Sequence, residues 1–86
     1  MNTREYKPLQ NWLKTQPTTK TQIVLNFRQI EKILGRKLPP SAYKYRVWWL
    51  DQSEDTRHSQ AFAWLNAGWQ VEALDLENEA VTFKRV

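Results

Sequence analysis

Apolar residues recur at helical spacing near the start of the chain. Pro8 suits the first turn of a helix, because the N–H that it lacks is not needed there, and Pro17 places the end of that helix near Gln16. A β-branched run over residues 22–25 then predicts a short strand. The apolar face of the first helix comprises Leu9, Trp12 and Leu13.

A second helix is predicted over residues 27–34, where the start and stop signals agree. Asn26 is a favourable N-cap, and Gln29 follows three residues later, which is the spacing of a capping box. Gly35 comes after the last apolar residue and can adopt the left-handed conformation that ends many helices. The apolar face of this helix contains Phe27, Ile30, Ile33 and Leu34.

A third helix is predicted to begin at Ser41, whose hydroxyl can act as an N-cap. Trp48 and Trp49 would both lie on this helix, but neighbouring helical residues point about 100° apart. The two indoles therefore cannot be equally buried, and we expect at least one of them to be partly exposed. The residues expected to share the apolar face are Ala42, Tyr45, Trp48 and Trp49.

A fourth helix and a hairpin complete the predicted elements. The helix covers residues 59–67 and stops at Gly68. Two strands follow over residues 69–74 and 80–84, joined by a turn around residues 77–78. The apolar face of the fourth helix is predicted to centre on Phe62 and Leu65, with Ala61 and Trp64 beside them.

These elements predict a single domain, residues 1–86, of the α+β class. If one of the middle helices is merged or shortened, the order becomes that of a small winged-helix-like domain, with a helix, a short strand, helices and a C-terminal β-hairpin. The hairpin would then form the wing. This likeness concerns the order of elements, and by itself it carries no function.

Several short motifs stand out between residues 38 and 85, namely LP-x-SA, WW, H-x-Q, AWL-x-AGW-x-V and V-T-F-x-R. Together they resemble the pattern of a small prokaryotic domain family of unknown function. The chain departs from that pattern after the double Trp, where Leu50 and Asp51 stand in place of a small residue and Asn. The resemblance implies a shared fold and no particular activity. The matching residues are Leu38, Pro39, Ser41, Ala42, Trp48, Trp49, His58, Gln60, Trp64, Leu65, Ala67, Gly68, Trp69, Val71, Val81, Thr82, Phe83 and Arg85.

Charge is distributed unevenly along the chain. The formal net charge is +4, from 13 Lys and Arg side chains and 9 Asp and Glu side chains. Residues 1–46 carry ten basic and two acidic side chains, whereas residues 47–86 carry three basic and seven acidic ones. This asymmetry predicts one surface that faces a polyanion and another that is acidic.

The composition excludes several kinds of chemistry. The chain has no cysteine and a single histidine, His58, so neither a disulfide framework nor a zinc site is expected. Ser59 follows His58, but no G-x-S-x-G turn or glycine-rich phosphate loop accompanies them. We expect no catalytic residue, no bound metal, no cofactor and no small-molecule substrate. Without a signal sequence or a run of roughly 20 apolar residues, a cytoplasmic protein that does not bind membranes is expected.

The charge pattern favours a DNA-binding accessory or regulatory module. A basic helical face would neutralise phosphates, and the start of the fourth helix would contact base edges, so double-stranded DNA is favoured over single-stranded DNA. Tyr43, or one of the pair Trp48 and Trp49, is a candidate for stacking on an unpaired base. The candidate phosphate-binding residues are Arg28, Lys32, Arg36, Lys37, Lys44 and Arg46. The candidate base-contacting residues are Arg57, His58, Ser59 and Gln60.

The acidic hairpin favours an alternative function. A wing that rests on phosphates should not carry several carboxylates, so the hairpin is expected to turn away from DNA. The alternative is a protein-interaction module, such as a phage, plasmid or host-defence accessory factor, that acts through exposed aromatic residues and the acidic hairpin without binding nucleic acid. Its partner would be another protein or a second copy in a homodimer, because the basic and acidic halves attract each other.

Overall fold

The computed structural model describes residues 6–50 and 59–86. Within these ranges, five helices and three strands confirm the α+β class and the C-terminal hairpin. The elements are α1 (Lys7–Lys14), β1 (Gln22–Asn26), α2 (Phe27–Leu34), α3 (Pro40–Lys44), α4 (Arg46–Leu50), α5 (Ser59–Asn66), β2 (Trp69–Asp75) and β3 (Ala80–Arg85).

The three strands form one antiparallel sheet in the order β1–β3–β2. Phe83 on the central strand β3 lies opposite Ile23 of β1 and Val71 of β2, and all three side chains are buried. Residues between them on the other face are mostly exposed or half-buried. The alternation along each strand therefore directs one face of the sheet into the core and leaves the other to solvent.

The predicted first helix, first strand and second helix are confirmed as α1, β1 and α2. Both ends of α2 also lie where the sequence predicts them. The Asn26 side chain accepts a hydrogen bond from the Gln29 backbone N–H, and the Gln29 side chain accepts one from the Asn26 N–H, each at 2.8 Å. Gly35 ends the helix with φ 74°, a left-handed conformation that glycine adopts without a Cβ clash. These local signals are sufficient to fix α2 in the sequence.

The predicted third helix is wrong, because the chain forms two short helices there. Tyr45 has φ −118° and ψ 120°, which is extended backbone and separates α3 from α4. The cap is Pro39 rather than Ser41, since Pro40 fits the first helical turn and starts the helix earlier. Tyr45 is 59% exposed instead of buried. The expectation for the double Trp is confirmed, as Trp49 is fully buried and Trp48 half-buried.

The fourth predicted helix is α5, but its buried face differs from the predicted one. Phe62 and Leu65 are only half-buried, whereas Ala61 and Trp64 have no exposed surface. The small Ala61 side chain lets the helix lie close to the core, and the Trp64 ring enters it. The spacing of apolar residues predicted the helix correctly. It did not predict which side of the helix faces the core, because apolar residues lie on several sides of it.

A series of aromatic rings runs through the core and joins four elements. Trp49 of α4 stacks on Phe27 of α2, with ring centroids 4.9 Å apart, and on Trp64 of α5, with centroids 5.8 Å apart. Trp64 in turn contacts Phe83 of β3 at 5.6 Å. The buried Trp49 Nε1 donates a hydrogen bond to the carbonyl oxygen of Ala42 at 2.8 Å, so the indole is satisfied as well as packed.

Removing the Trp64 ring should destabilise the fold strongly. Trp64→Ala would leave a cavity between Trp49 and Phe83, and we expect the free energy of unfolding to fall by about 3–5 kcal/mol in urea denaturation. Val47→Ala is the control, because Val47 is 65% exposed. A loss below about 1 kcal/mol for Trp64→Ala would contradict the ring series as the centre of the core.

Candidate nucleic-acid interface

Four basic residues gather along α2 and the loop that follows it. Arg28 and Lys32 are one helical turn apart, and Arg36 and Lys37 come directly after the Gly35 cap; all four are exposed. Because the left-handed cap reverses the chain, the loop residues return alongside the helix. Together they border an open groove of about 580 Å³, whose lining residues are Asn26, Arg28, Gln29, Glu31, Lys32, Arg36 and Lys37.

Glu31 holds this groove together. Its Oε2 accepts hydrogen bonds from the Leu38 backbone N–H at 2.9 Å and from the Tyr43 hydroxyl at 2.7 Å. Its backbone carbonyl also accepts from the N–H groups of Gly35 and Arg36, at 2.8 and 3.2 Å. One residue therefore fixes both the loop that carries Lys37 and the adjoining helix α3. This role was not predicted from the sequence, although Glu31 is the only carboxylate on α2.

The electrostatics of the groove follow from these bonds. Hydrogen bonds from Tyr43 and Leu38 lower the pKa of Glu31, and the nearby charges of Lys37 and Arg28 add to this effect against a smaller cost of burial. Burial, together with the Glu31 carboxylate, raises the pKa of Tyr43 to about 12. Glu31 thus stays ionised at neutral pH, and the groove carries four cations against one carboxylate.

Tyr43 is engaged by contacts within the protein at both its ring and its hydroxyl. Its ring is half-buried and meets Phe27 edge-on, with centroids 5.2 Å apart, while its hydroxyl donates to Glu31. The ring thus packs against Phe27, and the hydroxyl already has a hydrogen-bond acceptor. This placement makes Tyr43 a support for the groove, in contrast to the stacking role expected from the sequence.

The two remaining candidate phosphate-binding residues lie apart from the groove. Lys44 is exposed at the end of α3 and is not among the lining residues. Arg46 points to the hairpin, where its Nη2 donates to the Leu74 carbonyl oxygen at 3.4 Å. Asp75 beside it has a lowered pKa, mainly through hydrogen bonds from Asn78 and to a smaller extent through Arg46. The six basic residues predicted to bind phosphates therefore do not form one surface. Four of them border the groove, and Lys44 and Arg46 lie outside it.

The acidic hairpin adjoins the basic helix α2 at its turn, and the expectation that it turns away from DNA stays a prediction. The Phe27 N–H, at the start of α2, donates to the Glu79 carbonyl oxygen at 2.8 Å. The acidic turn thus borders the N-terminal end of α2, near Arg28. Lys32 lies one helical turn after Arg28 on α2, and Lys37 follows the Gly35 cap at the C-terminal end of that helix.

Among the candidate base-contacting residues, only Gln60 has a described side chain, and it is buried. Its Nε2 donates to the Trp48 carbonyl oxygen at 3.2 Å. This bond satisfies a carbonyl at the packed α4–α5 junction, so Gln60 is structural and does not face a ligand. Arg57 and His58 lie outside the described residues, and Ser59 is described only as the first residue of α5, so their predicted roles stay predictions.

The described residues contain neither a candidate metal site nor a candidate membrane span. No group of three or more His, Cys, Asp or Glu side chains in residues 6–50 and 59–86 could hold a metal ion. In the same part of the chain, none of the helices is long and apolar enough to cross a membrane.

These features define a small α+β domain with a basic groove between its second helix and the loop after it. The chain belongs to the family described as "Domain of unknown function (DUF7662)", whose model matches residues 6–86. The resemblance to a family of unknown function is thus confirmed at that level. No curated protein matches the chain, and no solved structure matches it.

The Glu31 carboxylate should contribute pH-dependent stability. Because its pKa is lowered in the folded chain, the charged form stabilises the fold above the ordinary value of 4.5, and this contribution is lost as the pH falls through the lowered pKa. We expect Glu31→Gln to reduce the free energy of unfolding at about pH 7, and the difference from the parent protein to shrink by about pH 3, in urea denaturation.

Glu77→Gln is the control for this measurement, because it removes the same charge from an exposed position in the hairpin turn. Its free energy of unfolding should stay close to that of the parent protein. An equal loss for Glu31→Gln at both pH values would show that the shape of the side chain matters and its charge does not.

Proposed function

We propose that this chain is a DNA-binding accessory or regulatory module whose α2 groove contacts phosphates. The observation that carries the proposal is the set of four exposed cations around a groove of about 580 Å³, with the loop cations held beside the helix by Glu31. Such a surface gains affinity for a phosphate backbone by releasing counterions, without reading the sequence of bases. The expected location is the cytoplasm.

The basic groove is a better phosphate site than Arg85 at the end of β3. The Arg85 guanidinium donates to the carbonyl oxygens of Lys20 and Pro17 at 2.9 and 2.8 Å and lies 4.3 Å from the centroid of the Trp69 ring. Arg85 is therefore committed to holding the chain before β1 against the sheet. Lys32 and Lys37, by contrast, are exposed and border the groove.

The order of elements supports a winged-helix-like arrangement as part of this proposal. In such domains a helix and a short strand precede further helices and a two-stranded wing, and here β1 pairs with the hairpin strand β3. The helix before the hairpin is α5, whose residues 59–66 include no Lys or Arg. We therefore assign the phosphate contacts to α2, and a preference for duplex DNA rests on Arg57 and His58 alone.

Charge reversal in the groove tests the proposal. The double variant Lys32→Glu/Lys37→Glu should lower the affinity for a labelled DNA oligonucleotide at least about tenfold in fluorescence anisotropy. The slope of log K against log salt, measured between about 50 and 200 mM, should fall by about 2 because two phosphate contacts are lost.

The matched control is Lys7→Glu/Lys84→Glu, which changes the net charge equally at two exposed lysines outside the groove. It should retain most of the affinity. If both double variants weaken binding to the same extent, the net charge of the protein governs binding and the groove is not the site. If the parent protein binds no DNA at about 50 mM salt, the proposal is wrong.

A protein-interaction module is the second candidate function, and exposed apolar residues favour it. Val47 and Leu50 lie three residues apart on α4 and are 65% and 41% exposed, and Tyr45 just before them is 59% exposed. Apolar side chains that share an exposed helix face are typical of binding surfaces. Sedimentation velocity of the parent protein and of Val47→Asp tests self-association: a dimer that Val47→Asp dissociates would support this candidate.

A further inference from the structure

A second groove lies between α1 and α2 and is largely apolar. It measures about 300 Å³, and its walls include the half-buried side chains of Trp12 and Ile33 and the buried side chain of Leu25. Clefts of roughly this size and composition bind flat apolar ligand groups. Trp12 therefore packs partly against the core and also lines this open groove.

This apolar groove adjoins the basic groove. Gln29 and Lys32 line both of them, so the two share one wall on α2. The Gln29 side chain is held in place because its Oε1 accepts the Asn26 N–H of the capping box at 2.8 Å. A ligand that places a phosphate beside Lys32 would thus meet the Trp12 groove directly next to it.

Trp12 differs in this respect from the buried tryptophans of the core. Trp49 and Trp69 have no exposed surface, and each donates its indole N–H to a backbone carbonyl oxygen. On α1, Leu9 and Leu13 are completely buried and carry the packing of that helix. Trp12 contributes only part of its surface to the core, and the remainder borders the groove.

We propose that the α1–α2 groove binds an unpaired base of a single DNA strand, stacked on the Trp12 indole, while the adjoining phosphate lies on the cations of the basic groove. This inference rests on the proposed function and adds a subsite to it. Charge complementarity identifies the occupant. Because the apolar groove shares a wall with the basic groove, it favours a ligand whose flat apolar group is attached to a phosphate. Nucleotides of a strand have that chemistry.

The geometry has a consequence for strand preference. Bases inside a duplex are stacked on each other and paired, so they cannot enter a groove beside the phosphate contacts without leaving the helix. A single strand carries no such cost. The site should therefore prefer single-stranded over double-stranded DNA, which reverses the preference expected from the sequence. Trp12 takes the stacking role for which Tyr43, Trp48 and Trp49 were the candidates.

Trp12→Ala separates stacking from charge. The probes are an oligothymidylate, an abasic oligonucleotide with the same number of phosphates, and a duplex of the same length. We expect the parent protein to bind the oligothymidylate most tightly and Trp12→Ala to lower that affinity at least about fivefold, with the affinity for the abasic strand unchanged. Trp12→Phe keeps an aromatic ring and should retain most of the affinity. Lys32→Glu/Lys37→Glu should weaken binding to all three probes.

A second measurement follows binding in the parent protein itself and uses a variant only to assign the spectrum. With 5-fluorotryptophan incorporated, the ¹⁹F resonance of Trp12 can be assigned through Trp12→Phe. We expect this resonance to shift when the oligothymidylate is added and to stay in place when the abasic strand is added. Resonances of the buried Trp49 and Trp69 should move little with either strand.

The outcomes distinguish the two proposals. If the parent protein binds none of the probes, the proposed function fails and the subsite fails with it. If it binds the probes, but Trp12→Ala binds the oligothymidylate as tightly as the parent protein, only the subsite is wrong. An unmoved Trp12 resonance, or an equal loss of affinity for the oligothymidylate and the abasic strand, also overturns the stacking role.

Discussion

The stacking of Trp49 between Phe27 and Trp64 is the interaction on which the other features of this domain depend. It brings α2, α4 and α5 together, and the contact of Trp64 with Phe83 joins them to the sheet. α2 has only eight residues, too few for a helix to be stable alone in water. Its basic residues keep their places because Phe27, at its first turn, is fixed in this stack.

The basic groove combines a rigid frame with an internal carboxylate. A cluster of cations alone would repel itself and leave the loop after α2 undetermined. Glu31 removes part of that repulsion, and its bonds to Leu38 and Tyr43 attach the loop and α3 to the helix. Glu31 lowers the net positive charge of the groove by one unit, and in return it holds the backbone of the loop after α2 beside the helix.

Sequence reasoning succeeded where the determinants are local. The capping box of Asn26 and Gln29 and the left-handed Gly35 define α2 within ten residues, and the alternating apolar residues define the hairpin. It failed where contacts between residues that are far apart in the sequence determine the structure. Nothing near Tyr45 signals the break between α3 and α4, and Arg46 is drawn to Leu74, which lies 28 residues away. The buried bond of Gln60 to Trp48 and the role of Glu31 arise in the same way from packing between elements.

The central claim is that nucleic acid binds on α2 and the loop after it. The most direct test is a ¹H–¹⁵N correlation spectrum of the labelled protein, titrated with a short oligothymidylate. The account predicts that amide shifts concentrate in residues 28–38 and around Trp12, while the strands β2 and β3 change little. Shifts confined to the hairpin or to α5, with residues 28–38 unmoved, would contradict it.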